Sequence, residues 1–259
     1  MPNPVLHQVN VLSSVLTSTL NGWRGCMVLK SAIPGVQPAK PLKLYDMEAC
    51  PFCRGVREAL TALHLDAIIY PCPKGGTRFR PEAERLGGKE QFPLLIDDNT
   101  GMIMAESKDI IDYLFATYGH RPTPTMYRAK PLRPVISSLS SVVRGSRGQK
   151  ARPSRLPEQL LELWSFEGSP YTRLVRERLT ELEIPYIVHN MGKEHWTEAG
   201  PAVRRIKAGP LQAVPGGKRE KMLARAGEVQ LPYMEDPNTG TSLFESADII
   251  DYIEKNYAI

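Results

Sequence analysis

The chain has few cysteines for its size. Only four occur in 259 residues, at Cys26, Cys50, Cys53 and Cys72. Four cysteines in a chain of this length do not make a disulfide framework, which excludes the class of small disulfide-rich secreted proteins. Such usage is typical of a reducing compartment, where a close cysteine pair is more often catalytic or metal-bound. We therefore expect a cytoplasmic protein, or an organellar one whose transit peptide has been removed.

Long apolar runs are also missing, and one stretch lacks acidic charge. No run approaches the length of a membrane span and no charged residue precedes Arg24, so neither a transmembrane segment nor a secretory signal is predicted. Residues 113–157 contain no Asp or Glu but nine Lys or Arg. Because this stretch shows no clear interleaving of basic and aromatic residues, we interpret it as a solvated linker and expect no nucleic-acid partner.

The sequence repeats itself. Residues 161–182 match residues 42–63 at 11 of 22 positions, and residues 230–252 match residues 91–113 at 13 of 23. The offset grows from 119 to 139 residues between the two blocks, so the second copy carries an insertion of 20 residues within 195–227. The repeat predicts two similar domains in tandem. Candidates within the insertion to cover the second domain or dock it on the first are Trp196, Arg204, Arg205 and Lys207.

Each copy follows a stretch of apolar residues at helical spacing and a basic connector. The spacing predicts two short amphipathic helices, with apolar faces formed by Val5, Leu6, Val9, Leu12, Leu16 and Leu20, and by Leu132, Val135, Ile136, Leu139 and Val143. We expect each helix to pack on its own or the neighbouring domain. The predicted division is a helix and connector over 1–40, a first domain over 41–120, a basic linker over 121–158 and a second domain over 159–259.

Within each copy the elements follow the order β-α-β-α-β-β-α. In the first copy, "LKLYD", "AIIYP", "FPLLID" and "MIMAE" have the character of short strands, and the segments "PFCRGVREAL" and "SKDIIDYLFATYG" have helical periodicity. The turn "DNTG" joins the last two strands, and Ser107 is a candidate cap of the last helix. This order indicates an α/β fold with a small mixed sheet.

The cysteine pair in "ACPFCRG" is the strongest candidate for chemistry. Cys50 stands where the first strand gives way to a helix, and Pro51 suits the first helical position because it has no N–H to leave unpaired. A thiolate at Cys50 would face the free N–H groups of the helix, with Arg54 and Arg57 adding positive charge, and both effects lower a thiol pKa. Cys53, one turn later, is placed to resolve a mixed disulfide formed at Cys50.

Other interpretations of the pair stay open at this point. Half of a zinc site would need two more ligands, and neither Cys26, Cys72 nor the five histidines have the required spacing. An iron–sulfur cluster shared across a dimer would use one cysteine per subunit and external thiols. The third alternative is a pair of inert structural thiols. The strand-to-helix position favours redox thiols, and no metal is expected.

A set of motifs resembles the glutaredoxin-like N-terminal domain of glutathione S-transferases. The motifs are "CPFC" after a short strand, then "FP", then "ES" opening the last helix, and the likeness covers most of 42–118 and 161–257. It implies two tandem thioredoxin-like domains with glutathione as cosubstrate. In that family the proline is cis and faces the cysteine, the residue before it pairs with the cysteinyl group of glutathione, and the Glu-Ser pair holds the γ-glutamyl end. The implied residues are Phe92, Pro93, Glu106 and Ser107, with second-domain equivalents Leu231, Pro232, Glu245 and Ser246.

Other residues near this motif set are weaker candidates. Arg54 and Lys74 are further candidates to bind glutathione, and Lys74 with Arg78 could receive its glycyl carboxylate. We expect Cys72, which follows the second strand, to be a packed surface thiol. Asp46 and Glu48 precede the cysteines and would oppose both a thiolate and an anionic ligand, so they predict a less acidic thiol than the family has.

The second copy departs from the motif, because "SPYT" replaces "CPFC". Ser169 and Thr172 cannot exchange disulfides. Ser169 is either a plain helix cap or a hydroxyl that donates to a glutathione thiolate, and the cap is favoured. A conventional transferase also has an all-helical domain after the first one, and here the second repeat stands in its place. That departure argues against conjugation of bulky electrophiles.

The sequence therefore predicts a glutathione-linked thiol-disulfide oxidoreductase with Cys50 as nucleophile and Cys53 as resolving thiol. Its expected partners are glutathione and small or protein disulfides, and a homodimer is one arrangement that the sequence allows. One alternative is a transferase or reductase that forms a mixed disulfide between Cys50 and glutathione. Another is a non-enzymatic module that binds glutathione, an iron–sulfur cluster or a protein.

Overall fold

The computed structural model describes residues 4–33, 35–128, 143–195, 198 and 213–259. Two sequence predictions fall outside these ranges. They are the second amphipathic helix, apart from Val143, and the residues named in the insertion, Trp196, Arg204, Arg205 and Lys207. None of the helices in the described ranges combines the length and the apolar character needed to cross a bilayer.

The first repeat has the predicted element order. A helix, α1, precedes it at Pro4–Leu20, and a short 3-10 helix follows at Lys30–Ala32. Strand β1 pairs in parallel with β2 and antiparallel with β3, and β3 pairs antiparallel with β4. The elements of this repeat are β1 Leu42–Asp46, α2 Pro51–Ala62, β2 Ala67–Pro71, α3 Arg80–Gly87, β3 Leu94–Asp97, β4 Met102–Met104 and α4 Ser107–Thr117.

The second repeat has the same order and the same strand pairing. Strand β5 pairs in parallel with β6 and antiparallel with β7, which pairs with β8. Its elements are β5 Leu161–Ser165, α5 Pro170–Glu181, β6 Tyr186–Asn190, α6 Lys218–Ala226, β7 Tyr233–Asp236, β8 Thr241–Phe244 and α7 Ser246–Tyr257. The tandem duplication of one α/β unit is therefore confirmed.

The two repeats share one sheet. Strands β2 and β6 pair antiparallel, with Ile68 opposite Ile187, and the eight strands follow the order β4-β3-β1-β2-β6-β5-β7-β8. The order of the second half mirrors that of the first, so equivalent elements face each other across the β2–β6 seam. A single cluster of buried apolar side chains runs through both repeats, including Leu44 in the first and Leu163 in the second. Burial of this cluster excludes water from the seam and holds the repeats as one unit.

Part of the second block of identity is a turn. In the first repeat one oxygen of Asp97 accepts hydrogen bonds from the Asn99 backbone N–H at 2.9 Å and side-chain amide at 2.7 Å, and the other accepts from the Tyr113 hydroxyl at 2.7 Å. Gly101 supplies the positive φ of 73° that the turn requires. The same arrangement recurs at Asp236, Asn238, Gly240 and Tyr252. The identities at these turn positions therefore reflect turn structure.

Helix α1 packs on the second repeat through its polar side. The Ser14 hydroxyl donates to the Pro170 carbonyl at 2.8 Å, and the Ser18 hydroxyl donates to the Gly168 carbonyl at 3.0 Å. The apolar positions that predicted the helix face outward, and Val5 and Leu12 are 71% and 67% exposed. The spacing predicted the helix, and the expectation left open whether it packs on its own or the neighbouring domain. Its orientation was not predictable, because hydroxyl-to-carbonyl bonds orient it.

Candidate functional site

Cys50 lies at the N-terminus of helix α2. It is the N-cap residue, Pro51 follows at the start of the helix, and the Cys50 Sγ accepts a hydrogen bond from the Cys53 backbone N–H at 3.4 Å. Cys50 is 7% exposed, whereas Cys53 is fully buried behind it. The strand-to-helix placement is the one that the cysteine spacing predicts, and it points one sulfur at the free N–H groups of the helix.

The two thiols differ in acidity. A hydrogen bond from the Cys53 side chain, helped by the backbone N–H groups of Cys53 and Phe52 and by the charge of Arg57, lowers the pKa of Cys50 to about 7 against the opposing effect of burial. Burial, the bond to Cys50 and the negative charge of Cys50 raise the pKa of Cys53 well above its usual value. Near neutral pH Cys50 is therefore substantially a thiolate, and Cys53 stays protonated.

This difference predicts the pH dependence of alkylation. Only the thiolate reacts with iodoacetamide, so the rate of Cys50 alkylation should rise with pH and reach half its maximum at about pH 7. The rate is measured by mass spectrometry of the peptide that carries Cys50. A midpoint at the ordinary thiol pKa of about 9 would contradict the assigned hydrogen bonds.

Both acidic residues before the motif form ion pairs with Arg57. Arg57 Nη1 lies 2.5 Å from Asp46 Oδ2, and Arg57 Nη2 lies 3.3 Å from Glu48 Oε2. The pKa of Cys50 is lowered to about 7 although both carboxylates lie nearby, and Arg57 pairs with each of them. That Cys50 is less acidic than the equivalent thiol of the family stays a prediction. From the sequence, Arg57 was expected to lie near the thiolate, and its ion pairs with Asp46 and Glu48 were not predicted.

A buried ion network crosses the seam between the repeats. Arg57 Nε lies 2.8 Å from Glu167 Oε2, Arg176 Nε lies 3.0 Å from Glu48 Oε2, and Arg176 Nη2 lies 3.0 Å from Glu167 Oε2. Each arginine thus contacts both glutamates, and the side chains are at most 7% exposed. Glu48 and Glu167 occupy equivalent positions, as do Arg57 and Arg176. These charged residues are identical in both copies, and that identity was the sequence signal from which the network could have been predicted.

Strand register brings the predicted glutathione residues to the edge of the sheet where Cys50 lies. Tyr45 pairs with Leu94, so the residues just before β3 lie beside the end of β1 that leads to Cys50. The Phe92–Pro93 and Leu231–Pro232 peptide bonds are cis, as the resemblance implies. Leu95 pairs with Met104, so β4 ends at the same edge and continues into Glu106 and Ser107.

The Glu-Ser pair has a geometry different from the predicted one. The residue that caps α4 is Glu106, and Ser107 is the first helical residue, so the expectation that Ser107 caps the helix is wrong. The exposed Glu106 carboxylate accepts a hydrogen bond from the Gln91 side chain at 2.6 Å. Gln230 and Glu245 form the equivalent bond in the second repeat. Sequence reasoning missed Gln91, although it is identical in both copies.

The three basic candidates, Lys74, Arg78 and Arg54, differ in their surroundings. The exposed Lys74 is tied by its backbone, whose N–H donates to the Gln149 carbonyl at 2.6 Å. Arg78, suggested as its companion, donates to the Ser154 hydroxyl at 2.6 Å and the Leu182 carbonyl at 3.1 Å, so it serves the contact between repeats. Arg54 is buried, and its Nε lies 3.2 Å from Glu58 Oε1.

Cys50 opens into a cleft between the repeats, which we call the interface cleft. The cleft has a volume of about 330 Å³, counting the part open to solvent. None of Phe92, Pro93, Glu106 and Ser107 lines it. Its described lining residues are Thr17, Glu48, Ala49, Cys50, Pro51, Arg54, Arg144, Arg147, Arg173 and Glu177. Cys50 therefore has two neighbourhoods, the edge with the cis-proline and this arginine-rich cleft.

The remaining thiols are buried. Burial raises the pKa of Cys26 to about 11 and raises that of Cys72 further above the usual value. Cys72 is fully buried beside Tyr45 and Leu94, so the expectation of a surface thiol is wrong. Among the described residues no three His, Cys, Asp or Glu side chains are grouped as a metal site would require.

Helix α1 covers the equivalent positions of the second repeat. Ser169 is 1% exposed and caps α5, accepting from the Thr172 N–H at 3.3 Å. Ser246 is also 1% exposed, and its hydroxyl lies 3.2 Å from Nε2 of His7 on α1. Through this contact and those of Ser14 and Ser18, helix α1 lies over both ends of the region in the second repeat that corresponds to the family's glutathione site.

Two matched variants test this covering helix. Ser18→Ala removes the bond to Gly168 and a 3.0 Å bond from Arg173, and should lower the free energy of unfolding by about 1–3 kcal/mol because buried partners lose an acceptor or donor. Thr19→Ala on the exposed side should change it by less than about 0.5 kcal/mol. Urea denaturation measures both. Equal effects of the two substitutions would show that the Ser18 contacts do not hold the helix.

Comparison with known protein families gives one match. The family model described as glutathione S-transferase, N-terminal domain, matches residues 44–122 and again residues 163–258. The two matched segments together cover more than half of the chain and coincide with the two repeats. Searches of curated proteins and of solved structures gave no significant match.

Proposed function

This chain belongs to the glutathione S-transferase N-terminal domain family, twice over, and from that premise we propose that it is a glutathione-linked thiol-disulfide oxidoreductase. The observation that carries the proposal is the opposite acidity of the two thiols in one motif. Cys50 has a pKa of about 7 at a helix N-terminus, and the protonated Cys53 lies directly behind it. A nucleophile and a resolving thiol need this division.

The proposed reaction is two successive thiol-disulfide exchanges. The Cys50 thiolate attacks the glutathione sulfur of a mixed disulfide, forms a Cys50–glutathione disulfide and releases the other half as a thiolate, which takes a proton from water. A second glutathione thiolate then attacks the glutathione sulfur on Cys50, giving oxidised glutathione and restoring the Cys50 thiolate. Alternatively the Cys53 thiol attacks the Cys50 sulfur, its proton passes to the departing glutathione thiolate, and two further glutathione molecules reduce the resulting Cys50–Cys53 disulfide and leave as oxidised glutathione.

The edge beside Cys50 is the proposed glutathione site. The Phe92 backbone would pair with the cysteinyl group, and Pro93 would shape the wall. The Glu106 carboxylate suits an ammonium group, and the Ser107 hydroxyl with the N-terminus of α4 suits a carboxylate. Arg54 and Lys74 stay candidates for the carboxylates of glutathione.

In the second repeat the equivalent residues would have a structural role, because α1 lies over Ser169 and Ser246. These residues are Ser169, Leu231, Pro232, Glu245 and Ser246.

The proposal is tested by glutathione-dependent reduction of hydroxyethyl disulfide, with the oxidised glutathione measured through glutathione reductase. Turnover well above the uncatalysed rate is expected. Conjugation of chlorodinitrobenzene without disulfide reduction would instead favour the transferase alternative. Absence of both activities would overturn the enzymatic proposal and leave a binding module. A reducing compartment, disulfide partners and a homodimer stay predictions from the sequence.

A further inference from the structure

The interface cleft holds more positive than negative charge around Cys50. Four guanidinium groups line it, from Arg54, Arg144, Arg147 and Arg173, and two carboxylates, from Glu48 and Glu177. Glu177 is engaged by Arg144, which contacts both of its oxygens at 2.8 and 2.5 Å. Arg147 lies exposed at the mouth.

Glu48 cannot neutralise the rest of the cleft. It already contacts Arg57 and Arg176 in the network across the seam, and Arg173 approaches it only to 3.9 Å. Arg54 is likewise shared, with Glu58 at 3.2 Å and Glu167 at 3.8 Å. Burial, and next the charge of Arg54, lower the pKa of Arg173 to about 9.

Two of the buried guanidinium groups have nitrogen atoms without a partner. Arg54 Nη2 and Arg173 Nε have no hydrogen-bond acceptor in the structure as described, although their side chains are only 8% and 3% exposed. Guanidinium donors are almost always satisfied when buried, and an unsatisfied one is costly. Both residues line the interface cleft. Glu167 Oε1, which lies 3.8 Å from Arg54 Nε, also has no partner among the described residues, so here two unpaired donors stand against one unpaired internal acceptor and an external anion would satisfy the other donor.

We propose that the interface cleft binds a carboxylate carried by the non-glutathione half of the disulfide that reacts at Cys50. The inference rests on the proposed function and names its substrate class. Glutathione is assigned to the edge with Pro93 and Glu106, so the thiolate released from the mixed disulfide leaves toward the other neighbourhood of Cys50. Guanidinium groups are well matched to carboxylate geometry.

The first test needs no turnover. Cys50 is alkylated with iodoacetate, an anion, and with iodoacetamide, its neutral analogue, and the ratio of the two rates is compared with the ratio for free glutathione. The ratio at Cys50 should exceed that of glutathione by about 10-fold at low salt and fall as salt is added. A ratio equal to or below that of glutathione would overturn the proposal, whatever the protein's activity.

Two arginine variants localise the effect. Arg147→Gln, at the mouth of the cleft, should lower the iodoacetate-to-iodoacetamide ratio by about 3-fold. Arg225→Gln removes an exposed arginine that pairs with Glu235 on the second repeat, outside the cleft, and should leave the ratio unchanged. Equal effects of both substitutions would show that overall charge, not the cleft, sets the ratio, and would overturn the proposal.

The second test identifies the substrate class. Mixed disulfides of glutathione with 3-mercaptopropionate, 2-mercaptoethanol and cysteamine differ mainly in charge, and each kcat/KM is divided by its uncatalysed exchange rate with glutathione. The anionic substrate should be favoured over the neutral one by about 10-fold, and the cationic one should be poorest. Equal values for all three would overturn the anion site while the proposed oxidoreductase stands. Failure of all three, with a raised alkylation ratio, would instead retain the anion site and overturn the proposed function.

Discussion

A Cys50→Ser variant is expected to lose glutathione-dependent reduction of hydroxyethyl disulfide by at least about a thousandfold, because a hydroxyl cannot replace a thiolate in disulfide exchange. No other described thiol can take its place. Cys26, Cys53 and Cys72 are buried, and the pKa of each is raised. Initial rates at pH 7, with the variant's fold checked by circular dichroism, measure the loss.

Substitutions of Cys53 separate the nucleophile from the resolving thiol. Cys53→Ser should retain most of the activity toward glutathione mixed disulfides, since a second glutathione can release the product. Its hydroxyl can also keep donating to Cys50, whereas Cys53→Ala removes the largest cause of the lowered Cys50 pKa. The pH profile of Cys53→Ala should therefore move to higher pH, and that of Cys53→Ser should stay near the wild-type one.

Ser169→Ala is the matched control in the second repeat. It occupies the position equivalent to Cys50 but is covered by α1, so its activity should match that of the wild type. Comparable losses in Cys50→Ser and Ser169→Ala would contradict the assignment of chemistry to the first repeat. An active Cys50→Ser protein would contradict the proposed nucleophile outright.

The elements of the fold were predictable because their signals are local. The first helix of each repeat begins where a proline follows a short apolar strand, and the turn at Asp97 repeats its own side-chain partners at Asp236. Because the chain is a tandem repeat, each of these local sequence patterns occurs twice. The element order predicted a small mixed sheet, and the resemblance supplied the cis bond before Pro93.

The contacts between repeats were not predictable in the same way. Glu48 finds its arginine at position 176, 128 residues away, and no local pattern encodes that separation. The sequence therefore placed two bare carboxylates next to Cys50, where the structure has a neutralised network. Likewise, the spacing of Val5 and Leu12 predicted which residues share a face of α1, but hydroxyl contacts decided that this face points outward.

Arg176→Met is expected to lower the free energy of unfolding by about 3–5 kcal/mol, because it leaves two buried carboxylates with one fewer partner. Arg176 contacts Glu48 and Glu167 at 3.0 Å and is among the most deeply buried side chains. Burial alone would raise the pKa of Glu167, but the charges of Arg176 and Arg57 lower it well below its usual range. The stabilisation that ionised Glu167 supplies is fully present above its unfolded pKa of 4.5 and is lost as pH falls toward the lowered folded value, so urea denaturation is measured at pH 7.

Two further variants decide whether the loss comes from the network. Arg225→Met breaks an ion pair whose arginine is 53% exposed, and should cost less than about 1 kcal/mol. The double variant Arg176→Met with Glu167→Gln removes one charge of each sign, so its loss should be smaller than the sum of the two single losses. Losses that simply add would mean that Arg176 acts through packing alone. An Arg176→Met protein as stable as the wild type would show that the repeats are held by the shared sheet and apolar core without the buried ions.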